Sequence, residues 1–402
     1  MLLKHREVVK KRASKDYFFP FLLLKVIAGI LLGLIYTYYY KAGGDTILMA
    51  TDAIRLAKSA TVDFRAYLDT LLWGAYDPEF FFIGEYRTFF FVRILSVISW
   101  FSFHNYWLIG VWLSIFSAWS LYQLASKIQC LWKVPSTTFL LFIVLLPSFT
   151  IWSSGVVKET YAIAGLAQLL ALLIDFRSHQ RIHWVRFICV AVMSYHVFMI
   201  KYYYLLPIVL FFGPYAIIKW WGDYLFFIKR NLILRYLLIF GLIIIIGSEI
   251  HPNLSLEGFQ KAAVASNELT FQQTPHYNRV YFLEWSSVQN VVINTMRSIK
   301  AGVFRPYLWE SRGMLGTLQA IENFVLLLST IFALYMSVKK KWKLPGIVWV
   351  VLAFLLFMIT LLPYTTPSLG SLSRYRVSYI PFYALLLAIA LTKVNFSKKR
   401  VA

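Results

Sequence analysis

The sequence predicts an all-α fold, a polytopic helical bundle embedded in a bilayer. Three observations carry that expectation. Of the 402 residues, 59% are apolar and only 14% are charged. Apolar runs recur along the whole chain, and a helix needs about 20 apolar residues at 1.5 Å each to cross the hydrocarbon core. The basic residues fall in short clusters between those runs, which is how loops on the cytoplasmic side are marked. That spread also excludes a nucleic-acid partner, because the formal charge of +22 never gathers into one patch. No long polar segment stands apart, so residues 1–402 read as a single integral-membrane domain. The bilayer is its first partner, and the expected location is the cell (inner or plasma) membrane.

Residues 1–16 form a basic tail with Lys4, Arg6, Lys10, Lys11, Arg12 and Lys15, which places the N-terminus in the cytoplasm. The first helix is expected over about 17–40. Its end is marked by tyrosines Tyr38 to Tyr40, residues that settle at interfaces. No small-residue cleavage site follows, so this helix reads as uncleaved. Further spans are expected near 106–126, 135–153, 159–176, 183–200, 202–220, 232–249, 318–338, 344–363 and 378–393. That makes about ten transmembrane helices, with both termini inside. Residues 88–103 would make eleven, but the run is short and Arg93 interrupts it. Were it to span, the basic clusters at 177–186, 219–235 and 339–343 would all face outward, so it reads as re-entrant or interfacial. Of the two cysteines, Cys130 falls in a cytoplasmic loop and Cys189 in a helix, which argues against a disulfide.

Two long segments lie on the outer side. The first, 41–105, holds 7 of the 18 acidic residues. Apolar residues at helical spacing (Ile47, Leu48, Ala50, Ile54; then Phe64, Tyr67, Leu68, Leu71) predict amphipathic helices over 46–60 and 62–75. Asp77-Pro78-Glu79 predicts a break. The second, 250–317, carries Arg279, Trp285, Arg297, Lys300, Arg305 and Trp309, and its aromatic content argues for order. A loop of that length is uncommon unless it is functional or disordered.

Four outer elements contain the candidate chemistry. Gly43-Gly44-Asp45 follows the first helix, where two glycines allow a sharp turn before a carboxylate. Pro147 to Thr160 joins two helices and ends on Lys158-Glu159. Glu159 opens a helix, where the dipole alone would favour an acid, and Lys158 beside it would pair with it or snorkel. Lys201 precedes Tyr202, Tyr203 and Tyr204 in a short turn. Arg374-Tyr375-Arg376 leads to Pro381 at the last helix. Asp45 and Glu159 are the candidate catalytic carboxylates, one as general base toward an acceptor and the other as orienting group or ligand to a divalent metal. Lys158, Lys201, Arg374, Tyr375 and Arg376 are the candidate phosphate-binding set, since guanidinium forks suit phosphate and the plainer role for these residues is interfacial anchoring. His196 is an ionisable residue inside an apolar helix, which marks it as functional or as bonded to a neighbouring helix. His251 and His276 show no metal spacing. There is no phosphate-binding glycine loop, zinc motif or serine elbow, so a nucleotide-driven enzyme is not expected.

This pattern resembles the GT-C superfamily of integral-membrane glycosyltransferases, which includes protein O-mannosyltransferases, lipid A aminoarabinose transferases and RgtA/B/C/D-like proteins. Asp45 directly after the first helix, the surface helices that follow it, Pro147 to Glu159, and Arg374-Tyr375 or Arg376 with Pro381 are similar to that family's pattern. Thr46 stands where the family has a second acid, and Glu159 where an aspartate is more common. The resemblance implies transfer of a sugar from a polyprenyl-phosphate-linked donor to a glycan or lipid acceptor on the outer face. Asp45 would then activate the acceptor, and the basic residues would hold the lipid phosphate. The Trp152-Ser153-Ser154-Gly155 turn with Lys158-Glu159 also resembles O-antigen and exopolysaccharide polymerases. In those, outer-loop arginines such as Arg279, Arg297, Arg305 and Arg312 would grip a diphosphate-linked glycan. A glycan or lipid transporter without chemistry is the third reading, disfavoured by the lack of a visible internal repeat.

Overall fold

A computed structural model of the chain describes residues 17–39, 44–74, 80–132, 136–177, 183–221, 231–250, 252–284, 287–339 and 346–391. The basic tail 1–16, Gly43, the Asp77-Pro78-Glu79 break, His251, Trp285 and most of the 339–343 cluster lie outside them, as does the side chain of Cys130. Every named element among the described residues is helical. In chain order these are α1 (Phe18–Leu34, extended by a π turn Ile35–Tyr39), α2 (Gly44–Ser59), α3 (Phe64–Trp73), α4 (Tyr86–Phe101) and α5 (Tyr106–Trp132). Then come α6 (Ser136–Val144), α7 (Pro147–Trp152), α8 (Lys158–Arg177), α9 (Trp184–Trp221) and α10 (Leu232–Ile250). The last six are α11 (Leu256–Gln273), α12 (Val288–Ile299), α13 (Gly313–Lys339), α14 (Gly346–Thr365), α15 (Leu369–Tyr375) and α16 (Ile380–Leu391).

Among the described residues, six helical stretches are long and apolar enough to cross a bilayer: Phe18–Tyr39, Tyr106–Gln129, Trp184–Lys219, Leu232–Glu249, Gly313–Lys339 and Gly346–Thr365. The chain is thus a multi-pass helical membrane protein. Three of the expected spans take other forms. Residues 135–153 split into α6 and α7, because Pro147 cannot continue the helix before it. Helix α8 has Glu159 and Asp175 at its two ends and is buried along most of its length, as a core helix rather than a lipid-facing one. Helix α16 contributes only 12 apolar residues to the described chain. The expected break between 200 and 202 is one non-helical residue, Lys201 (φ −146°, ψ 67°), at which two helical arms of α9 meet. Helix α4 has 16 residues, about 24 Å of rise, and falls short of the roughly 30 Å core.

Contacts divide the chain into two compact units, residues 1–144 with 149–205 and residues 145–148 with 206–402. In the first, α5 packs on both α1 and α8, and α2 packs on α4. The apolar stripe of α2 (Met49, Ala50, Ala53, Leu56, Ala57) is buried, as its i, i+3, i+4 spacing requires. Helix α3 starts on Asp63, whose side chain accepts from the Ala66 N–H at 3.0 Å, and stops on Gly74 in the left-handed region. The segment after α7 is buried throughout. Ser153 to Val157 is buried non-helical backbone, tolerable at membrane depth only where protein satisfies its polar groups. Serines from α5 do so: Ser117 Oγ donates to the Ser153 carbonyl at 2.8 Å, and Ser114 Oγ accepts from the Gly155 N–H at 2.9 Å. The Lys25 ammonium, fully buried on α1, donates to the same Ser153 carbonyl and to Ser153 Oγ at 2.6 Å. A side chain at Gly155 (φ +69°) would meet the Gly29 carbonyl at 3.0 Å.

In the second unit, α12 and α11 pack on α14, and α13 packs on α16. The expected order in the 250–317 segment takes the form of α11, α12 and the turns around them.

Candidate functional site

The first unit gathers charge at two helix ends. Glu159, in the first turn of α8, is fully buried and meets Lys201 Nζ at 2.6 Å. The kink at Lys201 carries its side chain into that position, and the ammonium also bonds Tyr203 Oη at 3.0 Å and lies over the Tyr203 and Tyr204 rings. Aromatic faces and a carboxylate together offset the loss of water around a buried cation. Beside this pair, Lys158 Nζ donates to Thr88 Oγ1 at 2.9 Å, and Thr88 Oγ1 donates to Glu85 at 2.7 Å. Arg87 stacks over Tyr202 at 4.3 Å. The N-terminal turns of α4 and α8 and the break in α9 therefore form one cluster: Glu85, Arg87, Thr88, Lys158, Glu159 and Lys201.

An apolar cavity of about 960 Å³ adjoins those helix ends. Phe90, Ile94, Val97, Trp112 and Phe116 are among its apolar lining residues, and Tyr86, Arg93, Tyr161, Tyr195 and His196 are its polar points. Arg93 Nη1 donates to the Leu71 carbonyl at 3.2 Å, closing the end of α3. Tyr161 Oη and His196 Nδ1 are 2.7 Å apart, so the intramembrane histidine has a neighbouring-helix partner. The helix turns that carry the cluster also reach the cavity: Tyr86, between Glu85 and Arg87, and Tyr161, two residues past Glu159, line it, while the six cluster side chains do not.

Asp45 is half-buried in the first turn of α2, near the phenol of Tyr106. Gly44 before it has φ +53°, and a Cβ there would fall 2.3 Å from the Tyr36 ring. The expected glycine turn is therefore required at this position. Asp52, about two turns further along the same face of α2, escaped the sequence reading. It is buried, its Oδ2 accepts from the Phe82 N–H at 3.2 Å, and its Oδ1 has no hydrogen-bond partner among the described residues. Burial pushes its carboxyl above the ordinary carboxylate value, opposed by the Phe81 and Phe82 N–H groups and by Arg55.

The remaining candidates belong to the second unit. Arg376 is buried, and its guanidinium reaches Glu322 Oε1 and Asn323 Oδ1 at 2.7 Å each and Ser148 Oγ at 3.2 Å. Glu322 also accepts from the N–H and hydroxyl of Ser148 at 2.7 and 2.6 Å. Arg374 and Tyr375 are half-buried on α15. The structure thus brings Glu159, Lys158 and Lys201 together, and gives Arg376 a protein carboxylate of its own. Glu322 was the missed partner; its signal was an acid inside an apolar helix.

The donor set around Glu159 does not fit a divalent metal, since that carboxylate already faces an ammonium. Among the described residues, no group of three or more His, Cys, Asp or Glu side chains could hold a metal ion. No protein-family model, curated protein or solved structure matches this chain.

Proposed function

We propose that the protein is a membrane glycosyltransferase of GT-C type, moving a sugar from a polyprenyl-phosphate-linked donor to a glycan or lipid acceptor on the outer face of the cell membrane. One observation carries the reading: an apolar cavity of about 960 Å³ shares the N-terminal turns of α4 and α8 with the charged cluster of Lys158, Glu159 and Lys201. An amphiphile with a long apolar chain and an anionic head suits that combination, with its chain among Phe90, Trp112 and Phe116 and its phosphate toward Lys158, Lys201 and Arg87. Arg376 is left out of this phosphate set because it belongs to the second unit, where Glu322, Asn323 and Ser148 already take its guanidinium.

In the reaction, an acceptor hydroxyl attacks the anomeric carbon of the donor. The bond from that carbon to the phosphate oxygen breaks, and the polyprenyl phosphate departs with the electron pair. Asp45 takes the hydroxyl proton, acting as general base. The cations stabilise charge growing on the leaving phosphate, where a low dielectric strengthens their effect. Glu159 holds the Lys201 ammonium in place.

The test is transfer from a radiolabelled polyprenyl-phosphate sugar to endogenous acceptor in membranes carrying the wild type or Asp45→Asn. Loss of transfer at least a hundredfold, with normal protein abundance, is expected for a general base; full transfer in that variant sinks the assignment. A ladder of repeat-unit products would move the reading to a polymerase, and movement of unaltered substrate across liposomes to a transporter.

A further inference from the structure

We propose that the second unit carries a separate phosphate-binding site, built from Arg297, Lys300 and Arg305. These three cations line a cavity of about 400 Å³ together with Tyr281, Tyr307 and a single carboxylate, Glu310. Counting charges, three positive groups face one negative group, so the cavity holds a surplus of two positive charges. That surplus matches a phosphate monoester or diphosphate.

The donors are also unspent. Glu310 accepts from Arg305 Nε at 2.9 and 3.1 Å and from the Tyr307 N–H at 3.1 Å, which fixes the guanidinium plane. The Nη groups of Arg305 make no hydrogen bond among the described residues. Arg297 spends one Nη on the Tyr281 carbonyl at 3.2 Å. Lys300 is exposed, and its ammonium makes no hydrogen bond or ion pair with another described residue. Fixed guanidinium forks with open N–H groups are the arrangement that binds phosphate bidentately. Two arginines expected to share this role do not line the cavity. Arg279 donates to the Thr274 carbonyl and lies over Phe271, and Arg312 lies over Tyr277.

The neighbourhood bears on where the phosphate comes from. Helix α12 ends at the cavity, and its Val288, Val292 and Met296, spaced four residues apart, are exposed. An amphipathic helix with an outward apolar stripe and basic residues at its end suits an interface between hydrocarbon and water. A lipid-borne phosphate would reach the cavity from that boundary, and a soluble diphosphate would reach it from the water side. Neither route depends on sugar transfer by the first unit.

The experiment uses full-length protein in phosphatidylcholine nanodiscs. Inorganic pyrophosphate binding is measured by calorimetry. Retention of a polyprenyl diphosphate included in the disc is measured by native mass spectrometry. The variant is Arg297→Gln with Lys300→Gln, and Lys261→Gln, from an exposed surface pair, is the control. Removing two charge-assisted contacts should weaken binding at least tenfold, with the control unchanged. Such a loss for pyrophosphate assigns a soluble source, and a loss confined to the lipid assigns a lipid source. If the double variant fails to fold, the single Lys300→Glu change at an exposed position gives the same reading. Absence of binding by both probes, or equal binding by wild type and variants, overturns the proposal.

Discussion

At the scale of single residues, the Glu159–Lys201 pair makes the sharpest demand. Both side chains are buried, and removing one partner leaves an uncompensated charge, which costs about 3–5 kcal/mol. Glu159→Gln and Lys201→Met should each lower thermal stability in nanodiscs by that order. The double variant should recover most of the loss, because removing both charges also removes the desolvation cost. Additive losses would mean that the two groups are not coupled. Asp52 gives a second test. Its carboxyl is pushed up by burial, so the folded state holds the proton more tightly than the unfolded chain. Stability from this group is full below the ordinary carboxylate value and is lost as pH rises through the raised one. Asp52→Asn should therefore be at least as stable as wild type near neutrality and should flatten the melting temperature over the acid range; an unchanged pH profile would contradict this. The sequence marked Glu159 and Lys201 separately, but nothing local could pair residues 42 apart. It passed over Asp52 because an acid inside an amphipathic surface helix normally faces water.

At the scale of elements, the buried turn after α7 depends on Gly155. Its φ of +69° and the Gly29 carbonyl 3.0 Å from a built Cβ make Gly155→Ala both strained and crowded, a loss of about 1–3 kcal/mol. Gly370→Ala on α15, where nothing lies within 4 Å, should instead be neutral or stabilising by up to about 1 kcal/mol. Melting curves of the two variants separate these outcomes, and equal stability would remove the packing argument. Helix positions were legible wherever apolar runs were long and unbroken, as in α1, α5, α13 and α14. The amphipathic α2 and α3 were legible from spacing. The expected break at Lys201 is present as a single non-helical residue between two helices; the failure came where Pro147 splits one expected span. A serine-lined buried turn has no periodicity to read, and its partners lie on α1 and α5, far away in sequence.

At the scale of the whole molecule, six stretches among the described residues are long and apolar enough to cross, and α4 is shorter than they are; the expectation that residues 88–103 do not cross has its own test. On that topology the segment before α9 faces the cytoplasm. A membrane-impermeant thiol reagent should label His183→Cys only after cells are permeabilised, the native cysteines having been replaced. Labelling of intact cells would mean that an additional segment crosses before α9 and, if that segment is 88–103, that Glu159 changes sides while Asp45, which precedes it, does not. Fold class and membrane residence were legible because composition alone sets them. Sidedness rests on the distribution of charge between runs, a weaker signal that one short segment can invert.

The buried amine of Lys25 also bears on how the protein is made. Its partner Ser153 lies 128 residues later in the chain. At about 5–20 residues per second, roughly 6–26 seconds of synthesis separate the two. Through that interval the first helix has entered the membrane with a cation that no serine carbonyl yet receives. A lysine at the centre of an inserting helix costs on the order of 2.5–3.5 kcal/mol, which the leucines and isoleucines around it must outweigh. Until Phe149 to Val157 arrives to enclose it, the amine is left to snorkel toward water, so the first helix enters the membrane before its lysine has its final partner.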